Sequence, residues 1–236
     1  MGQIFDIRLI PEYTVKLLSG IPTTLLLFIL VTVLSLILGM AFALIKIQNI
    51  PFLYQIVAIL ISYARSVPGI VQLFVVFYGM PILIEEFTGV NATLWDPLLF
   101  VVIAYTFNTS VFFCEAMRTA IESLDKGQFE AGFSVGMSYP QVFIRIILPQ
   151  AVRISLPTLE INACTMMKET ALAYTIGVTT DIMGRATILG GRSYHLLEAD
   201  ISASILFLIL NFILVIVFSR INKKFFTFKR KESVAV

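Results

Sequence analysis

Hydrophobic positions run along the chain in five long blocks, with polar residues gathered between the blocks and, in two cases, inside them. The cleanest block covers residues 21–45. It starts beside Pro22, is closed by Lys46, and exceeds the roughly 20 residues an α-helix needs to cross a bilayer. A second block, 52–84, is long for one span and carries Arg65, Ser66, Pro68 and Gly69 at its middle, with Gln72 one turn on, so the proline predicts a kink there. A charge at that depth is costly, so Arg65 is expected to face protein or water. The third block, 98–117, ends with Glu115 and Arg118. The fourth, 153–180, mixes Pro157, Glu160, Asn162, Lys168 and Glu169 with its apolar residues; it would fail against lipid and suits the lining of a polar pathway. The fifth, 198–219, is followed by Arg220, Lys223, Lys224, Lys229, Arg230 and Lys231. Residues 1–20 read as a short interfacial helix, and 85–97 and 181–197 as polar links, with His195 a solvated surface residue.

Between the third and fourth blocks, residues 119–152 are too regular for a casual loop. Phe129 and Phe133 sit four apart, as do Gly132 and Gly136, which describes a short helix with one apolar edge and one edge stripped of side chains. Gly136-Met137-Ser138 makes an elbow. Ser138 can cap a second helix, Gln141 completes a capping box, and Pro140 is tolerated in the first turn. Val142, Phe143, Ile146 and Ile147 repeat at helical spacing until Pro149, which is expected to end the pattern. By pattern alone this helix–elbow–helix either packs on its own bundle or offers a knob to another protein.

Composition adds the class. The 236 residues are 58% hydrophobic and 14% charged, with a mean hydropathy of +0.92, whereas soluble domains run nearer half apolar and a quarter charged. The fold class expected is all-α: a single polytopic membrane domain of five transmembrane helices with a docking helix between spans 3 and 4. A net charge of +2 gives no reason to expect nucleic acid. Cys114 and Cys164 fall in spans and read as small buried residues. The first block lacks a basic approach and a small-residue cleavage site, so it reads as a retained helix, and the start Met-Gly-Gln-Ile lacks a myristoylation pattern. The basic tail places the C-terminus in the cytoplasm and, over five spans, the N-terminus outside; Lys46 and the elbow then also fall on the cytoplasmic side. With no Gly-x-x-x-x-Gly-Lys-Ser/Thr loop, no His-Glu-x-x-His and no Gly-x-Ser-x-Gly, the chain is expected to have no catalytic residues, no metal site and no nucleotide site of its own.

The order Glu130-Ala131-Gly132, three residues, Gly136, nine residues, Ile146-Ile147-Leu148-Pro149 resembles the EAA loop of ABC importer permeases, departing only at Gly132, where alanine is usual. The segments 65–73 and 168–172 resemble stretches of the polar amino acid branch of that family, as do Glu115, Arg118 and Lys126-Gly127-Gln128 before the loop. The likeness runs from about residue 22 to about 185. It implies a permease of the bacterial cytoplasmic membrane that pairs with itself or a close relative. Two ATPase subunits would bind ATP and Mg, and an external solute-binding protein would deliver the amino acid. It also assigns Glu130, Ala131, Gly132, Gly136, Ile146, Leu148 and Pro149 to ATPase coupling.

A zwitterionic amino acid needs a cation or backbone donors for its carboxylate and an acidic or carbonyl oxygen for its ammonium. Arg65 and Lys168 can supply the first, Glu160 and Glu169 the second, with Ser66, Gln72, Glu115 and Asn162 along the same pathway. The charges can equally pair with one another to hold the bundle together. Asn162 offers hydrogen bonds without charge, which favours a neutral or zwitterionic cargo, of cystine or glutamine type by overall resemblance. The alternative function is a self-sufficient ion-coupled carrier using the same charges as a relay. Against it stand the docking elbow and the want of a visible inverted repeat.

Overall fold

The computed structural model describes residues 5–232 and the side chains of residues 5–224. The start at Met1–Ile4 and the side chains of Lys229, Arg230 and Lys231 therefore lie outside the described residues. Within them the chain is helical, with no strand. Helix α1 is Leu9–Ile47, unbroken except for one 3-10 turn at Leu18–Gly20, so the expected interfacial helix is the N-terminal part of the first long helix. Next come α2 (Leu53–Ser66), α3 (Gly69–Thr88), α4 (Pro97–Glu122), α5 (Gly127–Ser134), α6 (Tyr139–Ile176), α7 (Ile182–Ser193) and α8 (Leu196–Glu232). Five of these are long and apolar enough to cross a membrane: α1, α3, α4, α6 and α8.

The second block thus departs from expectation. It is two helices rather than one kinked span, and only its second half is a spanning candidate. Val67 is extended (φ −105°, ψ 130°) and Pro68 has ψ 140°. The proline ring disfavours α-helical geometry in the residue before it, and the break falls there. Pro149 behaves in the opposite way, because α6 runs straight through it. A π-helical turn at Phe143–Ile147, with the Leu148 N–H bonding to the Phe143 carbonyl, opens the backbone ahead of the ring. A second π turn, Val75–Gly79, precedes Pro81 in α3. In both places a wide turn lies just ahead of the proline, where the regular ladder must give way.

Helices α1 and α4 pack most intimately. Ser35, Gly39 and Ala43 are spaced by four along α1 and all buried, the small-residue pattern by which membrane helices approach closely. Ser35 Oγ donates to the Thr106 carbonyl at 3.1 Å, and a Cβ on Gly39 would lie 2.7 Å from the Ser110 carbonyl oxygen. Three apolar clusters stack along the bundle. One, around Phe42, Val111, Ile147 and Ala151, seats the elbow end. The next centres on Leu27, Leu73, Phe100 and Met166, and the last on Tyr13, Leu17, Ile182 and Ala203.

The polar link 181–197 is not a loop but the helix α7, folded back on α8. Asp181 caps it by accepting from the Gly184 N–H at 3.0 Å and the Met183 N–H at 3.3 Å. The Ile182 N–H donates to Thr24 Oγ1 at 3.2 Å. His195 is not simply solvated: its Nδ1 lies 2.8 Å from Glu198 Oε1, and that carboxylate is 1% exposed and also accepts from the Asp6 N–H at 2.7 Å.

Candidate functional site

Several of the residues expected to line a pathway collect at the break between α2 and α3. Breaking a helix frees carbonyls, and here the Gln72 side chain answers two of them: its Nε2 donates to the Ala64 oxygen at 3.0 Å and the Val67 oxygen at 2.8 Å. Gln72 is buried. It braces the break rather than lining the pathway. On the other side of the break opens a cavity of about 320 Å3, walled by Arg65 from α2, Asn108, Thr109 and Phe112 from α4, and Asn162 and Glu169 from α6.

Three of the expected pathway residues, Arg65, Asn162 and Glu169, are therefore brought together. Among the described residues no ion pair joins Arg65, Lys168 or Glu169 to one another, so the bundle-holding pairing is not formed within this chain. Glu169 lies against Gly69, where an added Cβ would stand 3.7 Å from its Oε1. Asn108 and Thr109 sit at the middle of α4 and hence at mid-depth of that helix. Thr109 Oγ1 donates to Met166 Sδ at 3.4 Å. One turn before Asn108 on the same face, the buried Tyr105 hydroxyl has no hydrogen-bond partner among the described residues. Sequence reasoning missed this α4 face. The signal was there in Asn108-Thr109-Ser110, three polar residues in a row at the centre of an apolar block.

Other expected pathway residues lie elsewhere. Glu115 is at the elbow end, bonded to Lys46 Nζ at 3.0 Å and Arg118 Nη2 at 2.7 Å, and is part of an ion-pair cluster rather than the cavity. Ser66 faces a shallow exposed patch with Ser62 and Tyr63. Glu160 does not line the cavity. Lys168 points about a quarter-turn away from Glu169, as neighbours on a helix must. It lines a separate crevice between α6 and α8 with Asp200 and Asn211. Among the described residues no group of three or more His, Cys, Asp or Glu side chains could hold a metal.

The elbow has a defined geometry. At the end of α5, the Gly136 N–H bonds to the Phe133 carbonyl at 2.9 Å and the Met137 N–H to the Gly132 carbonyl at 3.1 Å. With Gly136 at φ 81°, this is a Schellman stop, in which the left-handed position belongs to glycine. Gly132 meets α6, since a Cβ there would come within 2.6 Å of Val142 Cγ2. Ser138 caps α6 in a capping box with Gln141, whose Oε1 accepts from the Ser138 N–H at 2.8 Å. The rings of Phe129 and Tyr139 stack at 5.7 Å, and Gln128 and Gln150 exchange amide hydrogen bonds of 3.2 and 2.6 Å. The tip is left bare. Glu130, Ala131 and Gly136 are exposed, as are the large apolar residues Phe133, Val135 and Ile144. Ile146 and Leu148 are half-buried against the bundle, and Pro149 is exposed. The tip is thus apolar, exposed and rigidly built, the kind of patch that marks interaction sites on proteins generally.

Comparison with known proteins gives the family. Residues 35–227 match the family of binding-protein-dependent transport system inner membrane components. The chain is 37% identical to the L-cystine transport system permease protein TcyL of Bacillus subtilis (strain 168) over 207 residues, 88% of this chain and 86% of that protein. It is 31% identical to the arginine transport system permease protein ArtQ of the same organism, over 88% of this chain and 91% of that one. In three dimensions it resembles a crystal structure of an amino acid ABC transporter with histidines, with a TM-score of 0.78 and 27% identity over 93% of this chain and 99% of that one. The inward-facing MetNI methionine ABC transporter, at 19% identity and a TM-score of 0.71 over 89% of this chain and 95% of that one, shares the fold. Five helices long and apolar enough to cross a membrane and these likenesses together make the chain a multi-pass integral membrane protein belonging to the binding-protein-dependent transport system inner membrane components, the permease subunits of ABC importers.

Proposed function

We propose that this permease takes up a polar amino acid, neutral or zwitterionic, through the cavity at the α2–α3 break. The observation that carries the reading is the composition of that cavity. Arg65 stands on one wall, Glu169 on another, and Asn108, Thr109 and Asn162 lie between them, with no ion pair closing the space. An α-carboxylate finds a guanidinium, an ammonium finds a carboxylate, and the neutral amides hold the remainder by hydrogen bonds. Relatives named for cystine and arginine support an amino acid as cargo. Asn162 favours the uncharged side chains, with cystine or glutamine the types to try first.

In this reading two ATPase subunits, holding ATP and Mg, dock on the Glu130–Pro149 elbow at the cytoplasmic side. A second copy or a close paralogue completes the pathway, and an external solute-binding protein delivers cargo. The C-terminus is cytoplasmic and the N-terminus outside. Cargo binds the two conformations of the pathway unequally, and ATP-driven alternation between them moves it inward.

The test is uptake of labelled amino acids by membranes holding the assembled transporter, wild type against Glu169→Gln, Asn162→Ala and Gly136→Asp. Nucleotide-dependent uptake that is lost in Gly136→Asp together with copurifying ATPase, and weakened tenfold or more in KM by Glu169→Gln, supports the reading. Uptake that needs no nucleotide or ATPase would overturn it in favour of a self-sufficient carrier. Unchanged KM in both cavity variants would move the cargo site away from Glu169 and Asn162.

A further inference from the structure

At the end of the bundle away from the elbow, α7 presents Arg185, Ile188, Leu189 and Arg192 on one face, at the i, i+3, i+4, i+7 spacing of a helical stripe. Together with Lys16 and Leu17 of α1 they wall a cleft of about 350 Å3. Three cations line it. Lys16 is bonded to Glu12 at 2.6 Å, so one of the three charges is answered. Arg185 spends its Nε on the Thr180 carbonyl at 3.0 Å, an uncharged acceptor, which leaves the terminal nitrogens of its fork. Arg192 is exposed. Asp181, near Arg185, is buried and turned inward on the Gly184 and Met183 N–H groups. The cleft is thus positively charged with apolar walls.

Its depth can be worked out. Lys16 and Lys46 lie on the one continuous helix α1, and 30 residues at ~1.5 Å each place them ~45 Å apart along the axis. A bilayer with both headgroup layers is roughly 40–45 Å thick, and a tilt of about 20° shortens the projection only to about 42 Å. Placing Lys46, which closes the apolar run, at one headgroup layer puts Lys16 at the other, and Arg185 and Arg192 share the cleft of Lys16. Around the cations the surface is apolar: Val15 is 67% exposed, Leu18 46% and Ile188 38%. Apolar side chains flanking a cation cluster at this level belong in lipid.

We propose that this cleft binds the phosphate of an anionic phospholipid, with Arg192 and the free end of Arg185 on the phosphate oxygens and Ile188 and Leu189 against the glycerol and upper acyl chain. A planar guanidinium pair matches phosphate geometry. Such a bound lipid would pin α7, and with it the α1–α7–α8 corner, to one leaflet.

The experiment uses the full-length purified chain in mild detergent. Phosphatidylglycerol adducts are counted by native mass spectrometry, with phosphatidylcholine as the comparison lipid and inorganic phosphate as competitor. At about a fivefold loss per cation, Arg192→Gln should hold about fivefold less phosphatidylglycerol, and Arg185→Gln/Arg192→Gln roughly thirtyfold less. Arg192→Gln touches no hydrogen bond of the fold, and Arg185→Lys keeps the charge should the double variant fold poorly. Preference for phosphatidylglycerol over phosphatidylcholine, lost in the variants and resistant to millimolar inorganic phosphate, supports the proposal. Displacement by inorganic phosphate would show a free-anion site instead. Equal adducts in all variants would overturn the lipid site outright. So would retained lipid binding with lost affinity for an acidic solute-binding protein, which would assign the cleft to that partner.

Discussion

Gly136 offers the sharpest test of the elbow, because two physical reasons for a glycine make opposite predictions there. Its φ of 81° lies in the left-handed region, and no heavy atom lies within 4 Å of where a Cβ would stand. Within this chain the requirement is therefore conformational, not steric. Alanine in that conformation costs about 1–2 kcal/mol; asparagine costs less, since its short polar side chain bonds locally and tolerates such a position. The strain is released if the free elbow relaxes out of the Schellman stop. The docking-competent shape then falls to a minor population, and apparent affinity falls with it. At 1–2 kcal/mol the loss is about 5- to 30-fold. The assay is the affinity of purified permease for its ATPase partner, by titration in detergent or nanodiscs, for Gly136→Ala and Gly136→Asn, with circular dichroism confirming intact helices. The order expected is wild type, then Asn, then Ala. If Asn is weaker than Ala, side-chain size rather than backbone conformation decides, and the glycine is there for close approach of the partner. That order would refute the reasoning.

Further outcomes follow from the packing. Gly39→Ala, which puts a methyl 2.7 Å from the Ser110 oxygen, should lower stability by about 1–3 kcal/mol, read as a lower thermal midpoint. The matched Gly79→Ala, in a helical site with open space, should be neutral or raise the midpoint slightly. Glu115→Gln removes the carboxylate shared by Lys46 and Arg118 and should cost about 1–3 kcal/mol, while uptake per folded molecule stays near wild type because Glu115 is outside the cavity. Burial pushes the Asp181 carboxyl up to about 6, from 3.8, against the opposing pull of the Gly184 and Met183 N–H groups. This carboxyl then binds its proton more tightly in the folded chain, so its own contribution to stability is greatest below pH 4, falls as pH rises from about 4 to 6, and is flat above. The span is worth up to about 3 kcal/mol. Asp181→Asn keeps a capping oxygen and should flatten that slope in thermal melts taken across pH 4–7.

The five-helix plan was legible because length and hydropathy alone demand it, and the elbow because Gly136, Ser138 and Gln141 are local signals that act within a few residues of one another. What misled was reading polarity as structure. Residues 181–197 are polar enough for a loop, yet Asp181 is an N-cap, and the stripe Arg185, Ile188, Leu189, Arg192 is a helical period. Pro68 looked like a kink; the outcome hinged on Val67 taking an extended conformation and on Gln72 reaching back to two carbonyls, a tertiary detail. Pro149 looked like a stop, and a π turn carried the helix past it. In the cavity, Arg65, Asn162 and Glu169 were found by their cost in lipid. Asn108 and Thr109 were hidden in a block whose average is apolar, and Lys168 was assigned with Glu169 although adjacent residues on a helix face different ways.

The continuity of α6 gives that proline behaviour a consequence. Tyr139–Ile176 is 38 residues, about 57 Å of helix at ~1.5 Å per residue. Its first turns are the elbow's second arm, and Asn162 and Glu169, on the cavity wall, lie about 35 and 45 Å further along the same rod. Had Pro149 ended the helix, the elbow would hang on a hinge and a push on it would be absorbed there. With one π turn in place of a break, and Gln128 and Gln150 tying α5 to α6 beside it, the elbow's second arm and the cavity wall that holds Glu169 belong to one continuous helix. Arg65 lies on the separate helix α2, and it and Glu169 both line the cavity, so under the proposed function a tilt of α6 would change the separation of these two charges. That separation is the quantity on which binding of a zwitterion depends.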